Sequence, residues 1–561
     1  MLLPMTVTEV EKLGWDHLDV ILVTGDCYID SPHIGVAIIG KWLVKAGFKV
    51  GIIAQPDVNS PDDITRLGAP RLFWGVTGGS VDSMVANYTA TKRRRKTDDY
   101  TPGTVNDKRP DRAAMVYTNL IRRNFKPSPP IVLGGLEASL RRIAHYDFWT
   151  DSVRRSILFD AKADYLLYGM AESSVVELAV CLREALPIDD IRGLCRISKW
   201  PPNDYLKLPS YEESAADKSV FTEMFHTFYS QLDPVTAKGM VQQHGDRWLV
   251  HNPPSPSLSV SQMDSIYDMD FEREPHPAYR NQGDVIAMNT LRFSVPTHRG
   301  CYGECNFCGI AVHQGRTVQW RSEKSILAEV ESITRRREFN GYLSLGGNPT
   351  GNMYGFECAR KHTLGACSDK RCLFPTVCED LKVNHARQTG LLQKIRNVRG
   401  IKKVFVTSGI RFDLVLADKQ WGEEYLRDLV QHSISGQMKL APEHTDPKVL
   451  KLMGKPDSTA LIEFAKRFNE MVREGGTKQF LTYYLIAAHP GCGEREMHNL
   501  RQFVTDELHI SPEQVQIYTP LPSTWSAVMY YTEADPFTGR KLFVEKIPEK
   551  KNYQKRILTG D

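Results

Sequence analysis

Three cysteines stand close together in the stretch Arg299-Gly300-Cys301-Tyr302-Gly303-Glu304-Cys305-Asn306-Phe307-Cys308. Thiolates are the usual ligands of iron–sulfur clusters, and a cluster of four irons normally takes four of them. Three thiolates in one short loop would leave one iron without a nearby protein ligand. An open metal position is where an outside molecule can bind. The spacing of Cys301, Cys305 and Cys308, three residues and then two, lets a single loop wrap one corner of a cluster. Zinc or buried free thiols are the alternatives. Zinc sites usually want four ligands, often as paired Cys-x2-Cys, and this loop has one such pair, Cys305 and Cys308. The spacing therefore favours a 4Fe-4S cluster.

A second group follows at Cys358, Cys367, Cys372 and Cys378. Four thiolates suffice for an auxiliary iron–sulfur cluster and also for structural zinc. The gaps of eight, four and five residues match neither a standard zinc knuckle nor a ferredoxin run, so free thiols remain a third reading. The other cysteines, Cys27, Cys181, Cys195 and Cys492, are scattered.

The elements that must position these groups form two series. In the first, apolar runs at 20–23, 50–54, 72–76, 131–133 and 165–168 end at Thr24-Gly25-Asp26, Ala54, Thr77-Gly78-Gly79, Gly134-Gly135 and Gly169. A helical pattern occupies 34–46. Strands alternating with helices imply parallel βαβ units, and glycines past strand ends let a ligand approach the backbone. Residues 1–175 thus read as a Rossmann-like domain. Residues 176–285 read as a connecting or decorating region, with a loop-like Asn252-Pro253-Pro254-Ser255-Pro256-Ser257.

The second series covers 286–530. Its expected strands are 292–295, 342–345, 403–407, 437–440, 480–486 and 515–518. Helical patterns between them include one opened by Ser322 as N-cap, with Ile326, Leu327, Val330 and Ile333 on one face. Six strand–helix units in one run suit a partial barrel, whose chemistry sits on the loops after the strands. The first cysteine loop follows the first of these strands. The second strand runs into Gly346-Gly347, where backbone groups are open to a ligand. The second cysteine group lies in an insertion at 348–386. Residues 531–561 read as a C-terminal tail. Glu443 and His444 after the fourth strand, and His489 and Cys492 after the fifth, are polar candidates for the same mouth.

The chain of 561 residues is 41% hydrophobic and 25% charged, the composition of a soluble globular protein of two or three domains. No apolar stretch is long enough to span a bilayer. The N-terminus does not read as a secretory signal, so a cytoplasmic protein is expected. Clustered cysteines in such a chain favour metal over disulfides. A net charge of +4 gives nucleic acid no case as the main partner. The basic run Lys92–Lys96 reads as a solvated loop.

With an aromatic before its last cysteine, the first loop resembles the radical S-adenosylmethionine (SAM) signature. That resemblance implies SAM on the open iron, bound through its amino and carboxylate groups. It implies one-electron cleavage to a 5′-deoxyadenosyl radical, and flavodoxin or ferredoxin as reductant. It also implies SAM contacts at Gly346 and Gly347, where Asn348 stands in place of a frequent acid, and near Ser408 and Arg411. Larger pieces, Gly134-Gly135-Leu136-Glu137-Ala138-Ser139-Leu140-Arg141-Arg142-Ile143-Ala144-His145-Tyr146-Asp147 and Arg154-Arg155-Ser156-Ile157-Leu158, resemble the YgiQ family of radical SAM proteins across nearly the whole chain. The implied architecture is α/β, an N-terminal Rossmann-like, cobalamin-binding-like domain before a partial (β/α)6 TIM-like radical SAM barrel. Cobalamin domains often carry Asp-x-His-x-x-Gly, and the nearest match here, Asp30-Ser31-Pro32-His33-Ile34-Gly35, has the wrong spacing. Two rival readings are a non-catalytic iron–sulfur electron-transfer or scaffold protein and a zinc-stabilised RNA-binding module. A carrier would not need a six-unit barrel. The substrate is open.

Overall fold

The computed structural model describes residues 1–347, 349–512 and 515–560. The chain divides into two compact units. One is Met1–Ser257 with Met269–Arg292, and the other is Leu258–Asp268 with the chain from Phe293 onward.

The first unit is built on a nine-stranded sheet. Its strands are β1 (Val20–Thr24), β2 (Val50–Ala54), β3 (Phe73–Thr77), β4 (Ile131–Leu133), β5 (Tyr165–Leu167), β6 (Leu194–Ser198), β7 (Leu206–Leu208), β8 (Met240–His244) and β9 (Arg247–His251), in the order β2-β1-β3-β4-β5-β6-β9-β8-β7. The first five are parallel, in the doubly wound order 2-1-3-4-5. Parallel strands of such a sheet are covered on both faces, which is why β1 and even the edge strand β2 are continuous apolar runs, buried at every position. The expected connector 176–285 instead extends this sheet. β6 pairs antiparallel to β5, and β9 antiparallel to β6. These strands mix charged residues into short apolar runs, as in Arg247-Trp248-Leu249-Val250-His251, and so lack the parallel-strand signature.

The Pro-rich loop 252–257 ends the first unit's main segment. Helix Val260–Tyr267 then packs with the second unit. Asp264 Oδ1 accepts from Ser322 N (2.8 Å), Asp268 Oδ1 from Ser325 Oγ (2.6 Å), and Tyr267 Oη from Arg299 Nε (2.8 Å).

The second unit holds six parallel strands in sequence order. β10 (Ser294–Val295), β11 (Tyr342–Leu345) and β12 (Lys403–Val406) form one sheet; β13 (Gln437–Glu443), β14 (Phe480–Ala487) and β15 (Val515–Ile517) form another. A parallel bridge between Ile410 and Leu440 joins the two halves, with Ile410 N donating to Lys439 O at 2.9 Å. β10 is shorter than the expected strand because Met288–Leu291 is helical up to Arg292.

One face of these strands packs under helices. Leu343, Leu345, Val404, Met438, Leu440 and Leu481 share a core with Ile326, Val330, Leu391, Tyr425, Leu461 and Phe464. Ser322 Oγ caps Glu323–Thr334 by accepting from Ser325 N at 3.1 Å. The alternate residues Tyr342, Phe405, Lys439 and Tyr484 therefore point to the other, inner face, where Tyr342 and Tyr484 stay about half exposed (48% and 47%). The expected C-terminal tail is part of the fold. Helix Pro548–Thr559 buries Ile557 and Leu558, and its Gln554 Oε1 accepts from Ala488 N at 3.0 Å.

Candidate active site

The loop after β10 is fixed on both sides. Gly300 takes φ +85°, and a Cβ there would lie 2.4 Å from Thr317 O, so no larger residue fits before the first cysteine. Tyr302 is buried, its hydroxyl donating to Phe356 O. Asn306 is tied by its backbone N to Met453 O (2.8 Å) and by its side chain to Leu452 O (2.8 Å); its carbonyl accepts from Ser526 N (2.9 Å). Between these anchors Cys301, Cys305 and Cys308 are half-buried and unpaired. Gly303 N donates to Cys301 Sγ at 3.3 Å. Burial pushes the Cys301 thiol up and the Cys308 thiol up to about 12. Such thiols lose their protons when a cation replaces them, which is the behaviour of cluster ligands.

Arg411 lies beside this loop. Its Nη1 is 3.9 Å from Cys305 Sγ, and its Nε donates to Asp413 Oδ1 at 2.8 Å. Burial works against its charge, but Asp413 more than offsets this and holds its pKa above the ordinary value. The backbone of Arg411 is locked by Asn352, whose Oδ1 accepts from Arg411 N (2.8 Å) and whose Nδ2 donates to Arg411 O (3.0 Å). Asn352 also meets His385 Nε2 (3.2 Å), and the His385 ring lies 2.9 Å from Asp418 Oδ2 through Nδ1. Sequence reasoning missed Asn352, in the loop after β11, His385, the N-cap of helix Ala386–Arg396, and Asp413 and Asp418, within and at the end of helix Phe412–Ala417. Only the Arg-Phe-Asp string at 411–413 carried a local signal.

Gly346 and Gly347 end β11. A Cβ on Gly346 would meet Thr407 Oγ1 at 2.7 Å and Ser294 Oγ at 2.9 Å, while Gly347, with φ +74°, is exposed. Asn348 lies outside the described residues. Thr350, just beyond, approaches Cys301 Sγ at 3.9 Å through Oγ1. Ser408 is half-buried at the end of β12.

Glu443 ends β13 with φ +69° and is buried. One carboxylate oxygen faces Lys455 Nζ at 3.7 Å, and Oε2 has no hydrogen-bond partner. Burial raises its pKa against the pull of Lys455 and Arg411, and its charge is felt at Cys308. The other polar candidates are used structurally. His444 is fully buried, with Nδ1 accepting from Asp446 N (3.0 Å) and Nε2 3.5 Å from Cys492 Sγ. His489 is fully buried against Ser526 Oγ (2.7 Å) and Pro490 O (2.9 Å). The His489 ring also lies edge-on to Phe307 of the cysteine loop, with ring centroids 6.4 Å apart, whereas His444 is turned to Cys492.

The four later cysteines come together as well. Cys358, Cys367, Cys372 and Cys378 line one pocket.

At the carboxyl edge of the first sheet, between β1 and β3, open α/β folds bind their ligands. Here that crevice is filled. A Cβ on Gly25 would lie 2.3 Å from Gly78 O, so the two loops meet backbone to backbone. Arg109, fully buried, donates to Asp26 Oδ1 (2.7 Å), Asp98 Oδ2 (3.0 Å) and Gly78 O (2.6 Å). Glu137, from the Gly134–Asp147 stretch, accepts from Ser83 N (2.9 Å) and Ala114 N (3.1 Å). Arg141 pairs with buried Asp82.

A partial barrel whose first strand feeds a Cys-x3-Cys-x2-Cys loop defines a radical SAM protein. Family models agree: residues 2–294 match the radical SAM N-terminal family and 295–504 the radical SAM superfamily. A UPF0313 protein of Fusobacterium nucleatum is 56% identical over 99% of this chain and 98% of its own length, and one of Thermotoga maritima is 49% identical over the same shares. The chain belongs to this UPF0313 family of radical SAM proteins and is an enzyme of that class.

Among solved structures, the fold resembles the radical SAM methyltransferase TsrM from Kitasatospora setae with cobalamin and a 4Fe-4S cluster bound (TM-score 0.52, 16% identity, 89% of this chain and 76% of that one). It also resembles the cobalamin-dependent enzyme OxsB (TM-score 0.50, 13% identity, 93% and 57%). The cysteine loop suits the cluster and SAM of this class. The first unit does not suit cobalamin: its crevice is occupied by Arg109, Asp26 and Asp98. Asp30, in the nearest motif match, is buried against Lys41 (2.8 Å).

Proposed function

We propose that this enzyme cleaves SAM reductively at a 4Fe-4S cluster carried by Cys301, Cys305 and Cys308. The carrying observation is the anchored cysteine loop at the carboxyl end of β10, with the unpartnered Glu443 Oε2 beside Cys308. Leaving such an oxygen unmet costs about 1–3 kcal/mol, and the α-ammonium of SAM is a group that meets it. When bound, the cluster would supply one electron to the SAM sulfonium, breaking its S–C5′ bond to give methionine and a 5′-deoxyadenosyl radical that takes a hydrogen atom from substrate.

The chain's own residues hold and orient. Arg411 keeps a positive charge against Cys305 and steadies an anionic cluster. Gly346 and Gly347 offer backbone where a side chain would block SAM, and Ser408 borders the same edge. Tyr342, Phe405, Lys439 and Tyr484 give the inner face of the barrel an aromatic surface with one cation for substrate. The donor of the electron belongs to the flavodoxin or ferredoxin class. A reducing cytoplasm suits eleven unpaired cysteines, and no helix of the described residues is long and apolar enough to cross a membrane.

Iron and sulfide analysis of anaerobically purified protein tests the reading. Labile sulfide matching the iron, lost in Cys305→Ala, is expected. Stoichiometric zinc without sulfide would overturn it.

A further inference from the structure

Cys358, Cys367, Cys372 and Cys378 span an irregular stretch between β11 and β12, yet their side chains face one cavity. The segment is held in that shape by its own bonds. Cys378 N donates to Cys372 O at 2.8 Å, and Lys361 N to Cys358 O at 3.0 Å. Short helices Ala359–Leu364 and Glu379–Leu381 start directly after Cys358 and Cys378. No disulfide uses these thiols.

Charge and ligand number define the occupant. Arg360, Lys361, Lys370 and Arg371 line the same cavity, with Asp380 the acidic member. Lys370 is paired to Asp380 at 3.0 Å and Lys361 faces Glu357 at 3.5 Å. Against these two carboxylates the four cations still leave a positive surplus beside the four thiols, which suits a group that is anionic once the thiols are deprotonated. A single zinc, with Zn–S near 2.3 Å, would draw its sulfurs to within about 4 Å of one another. Four thiols around one pocket are the ligand set of a fully coordinated cluster.

We infer that these four cysteines hold a second iron–sulfur cluster, a 4Fe-4S centre with all four irons ligated by protein. It would sit next to the first. Tyr302, the residue after Cys301, packs in one small core with Phe356, Cys358, Leu373 and Leu381, with Cys301 and Cys372 at its border. Lys361 lies over the Tyr302 ring at 4.7 Å and donates to Arg316 O at 2.7 Å. Arg371 donates to Glu304 O (3.1 Å) and Asn306 Oδ1 (2.8 Å) within the first loop. A fully ligated cluster cannot bind SAM, so the two centres would differ in what they do.

The test loads the full chain with iron and sulfide anaerobically and counts both, with zinc. Wild type is expected to hold about eight irons, and Cys301→Ala/Cys305→Ala/Cys308→Ala about four, with a dithionite-reducible EPR signal unchanged by SAM. The complementary variant, Cys367→Ser/Cys378→Ser, is expected to drop to about four irons whose signal does change with SAM. Zinc in the triple variant, or loss of all its iron and sulfide, overturns the inference. So does an iron count in the Cys367→Ser/Cys378→Ser protein equal to wild type. A wild-type count of about four that vanishes in the triple variant rejects the second cluster while leaving the first intact. A wild-type count of about four that the triple variant keeps would reject the first instead.

Discussion

The carboxyl edges of the two sheets use the same geometry to opposite ends. After β1 and β3 the loops touch, and Arg109, Asp26 and Asp98 fill what a doubly wound sheet leaves open. After β10 and β13 the groups the loops present are half-satisfied: three thiols with few partners and one carboxylate oxygen with none. A strand-end crevice is thus a place where a ligand fits only if the chain's own side chains do not take it first. The first unit has the fold of a cobalamin domain and the interior of a sealed one.

The sharpest break between the two edges is expected from single substitutions. Cys308→Ala should reduce SAM cleavage to background while leaving the thermal melt nearly unchanged, because the loop's anchors are Tyr302 and Asn306. Arg109→Met should do the reverse. It strands Asp26 and Asp98 in the interior, and breaking a buried pair this way costs about 3–5 kcal/mol. Denaturant melts should show this loss, and SAM cleavage per folded molecule should stay at wild type. A cleavage defect at constant fold would mean the sealed crevice takes part in catalysis.

Acid should weaken both units. Burial holds His145, in the first unit, and His298 and His444, in the second, at about 4. An unfolded histidine titrates near 6.5, so the unfolded chain takes up protons first as pH falls. The stabilisation is complete above pH 6.5 and declines toward pH 4, by about 2 kcal/mol per histidine at pH 5. Melting temperatures at pH 7.5 and 5 check the sign; equal values would contradict it.

Glu443→Gln keeps the shape and removes the charge beside Cys308. The KM for SAM is expected to rise about tenfold, about 1.4 kcal/mol, with a smaller change in kcat. The smallest effect should come from cobalamin. Added to the reconstituted protein, it should leave cleavage unaltered and wash away on gel filtration. Retention would show that the β1–β3 crevice opens.

Much of this was legible in the residues. Continuous apolar runs marked the parallel strands, and Ser322 marked its helix. The cysteine spacing marked the loop at the head of the barrel. The mostly antiparallel extension β6–β9 was not legible, since its strands carry charged residues at the edge. His444 and His489 follow strands, which marked them as mouth candidates; that His489 meets Phe307 of the cysteine loop while His444 turns to Cys492 is a tertiary fact. The plug at β1 and β3 joins Asp26, Asp98 and Arg109 across 83 residues, and nothing local announces it.

The measurement closest to the central claim is SAM turnover by the reconstituted wild-type protein under dithionite, without oxygen. The account predicts 5′-deoxyadenosine and methionine in equal amounts, dependent on reductant and absent with Cys301→Ala. Intact SAM with a fully loaded, reduced cluster, or cleavage that persists in Cys301→Ala, would contradict it.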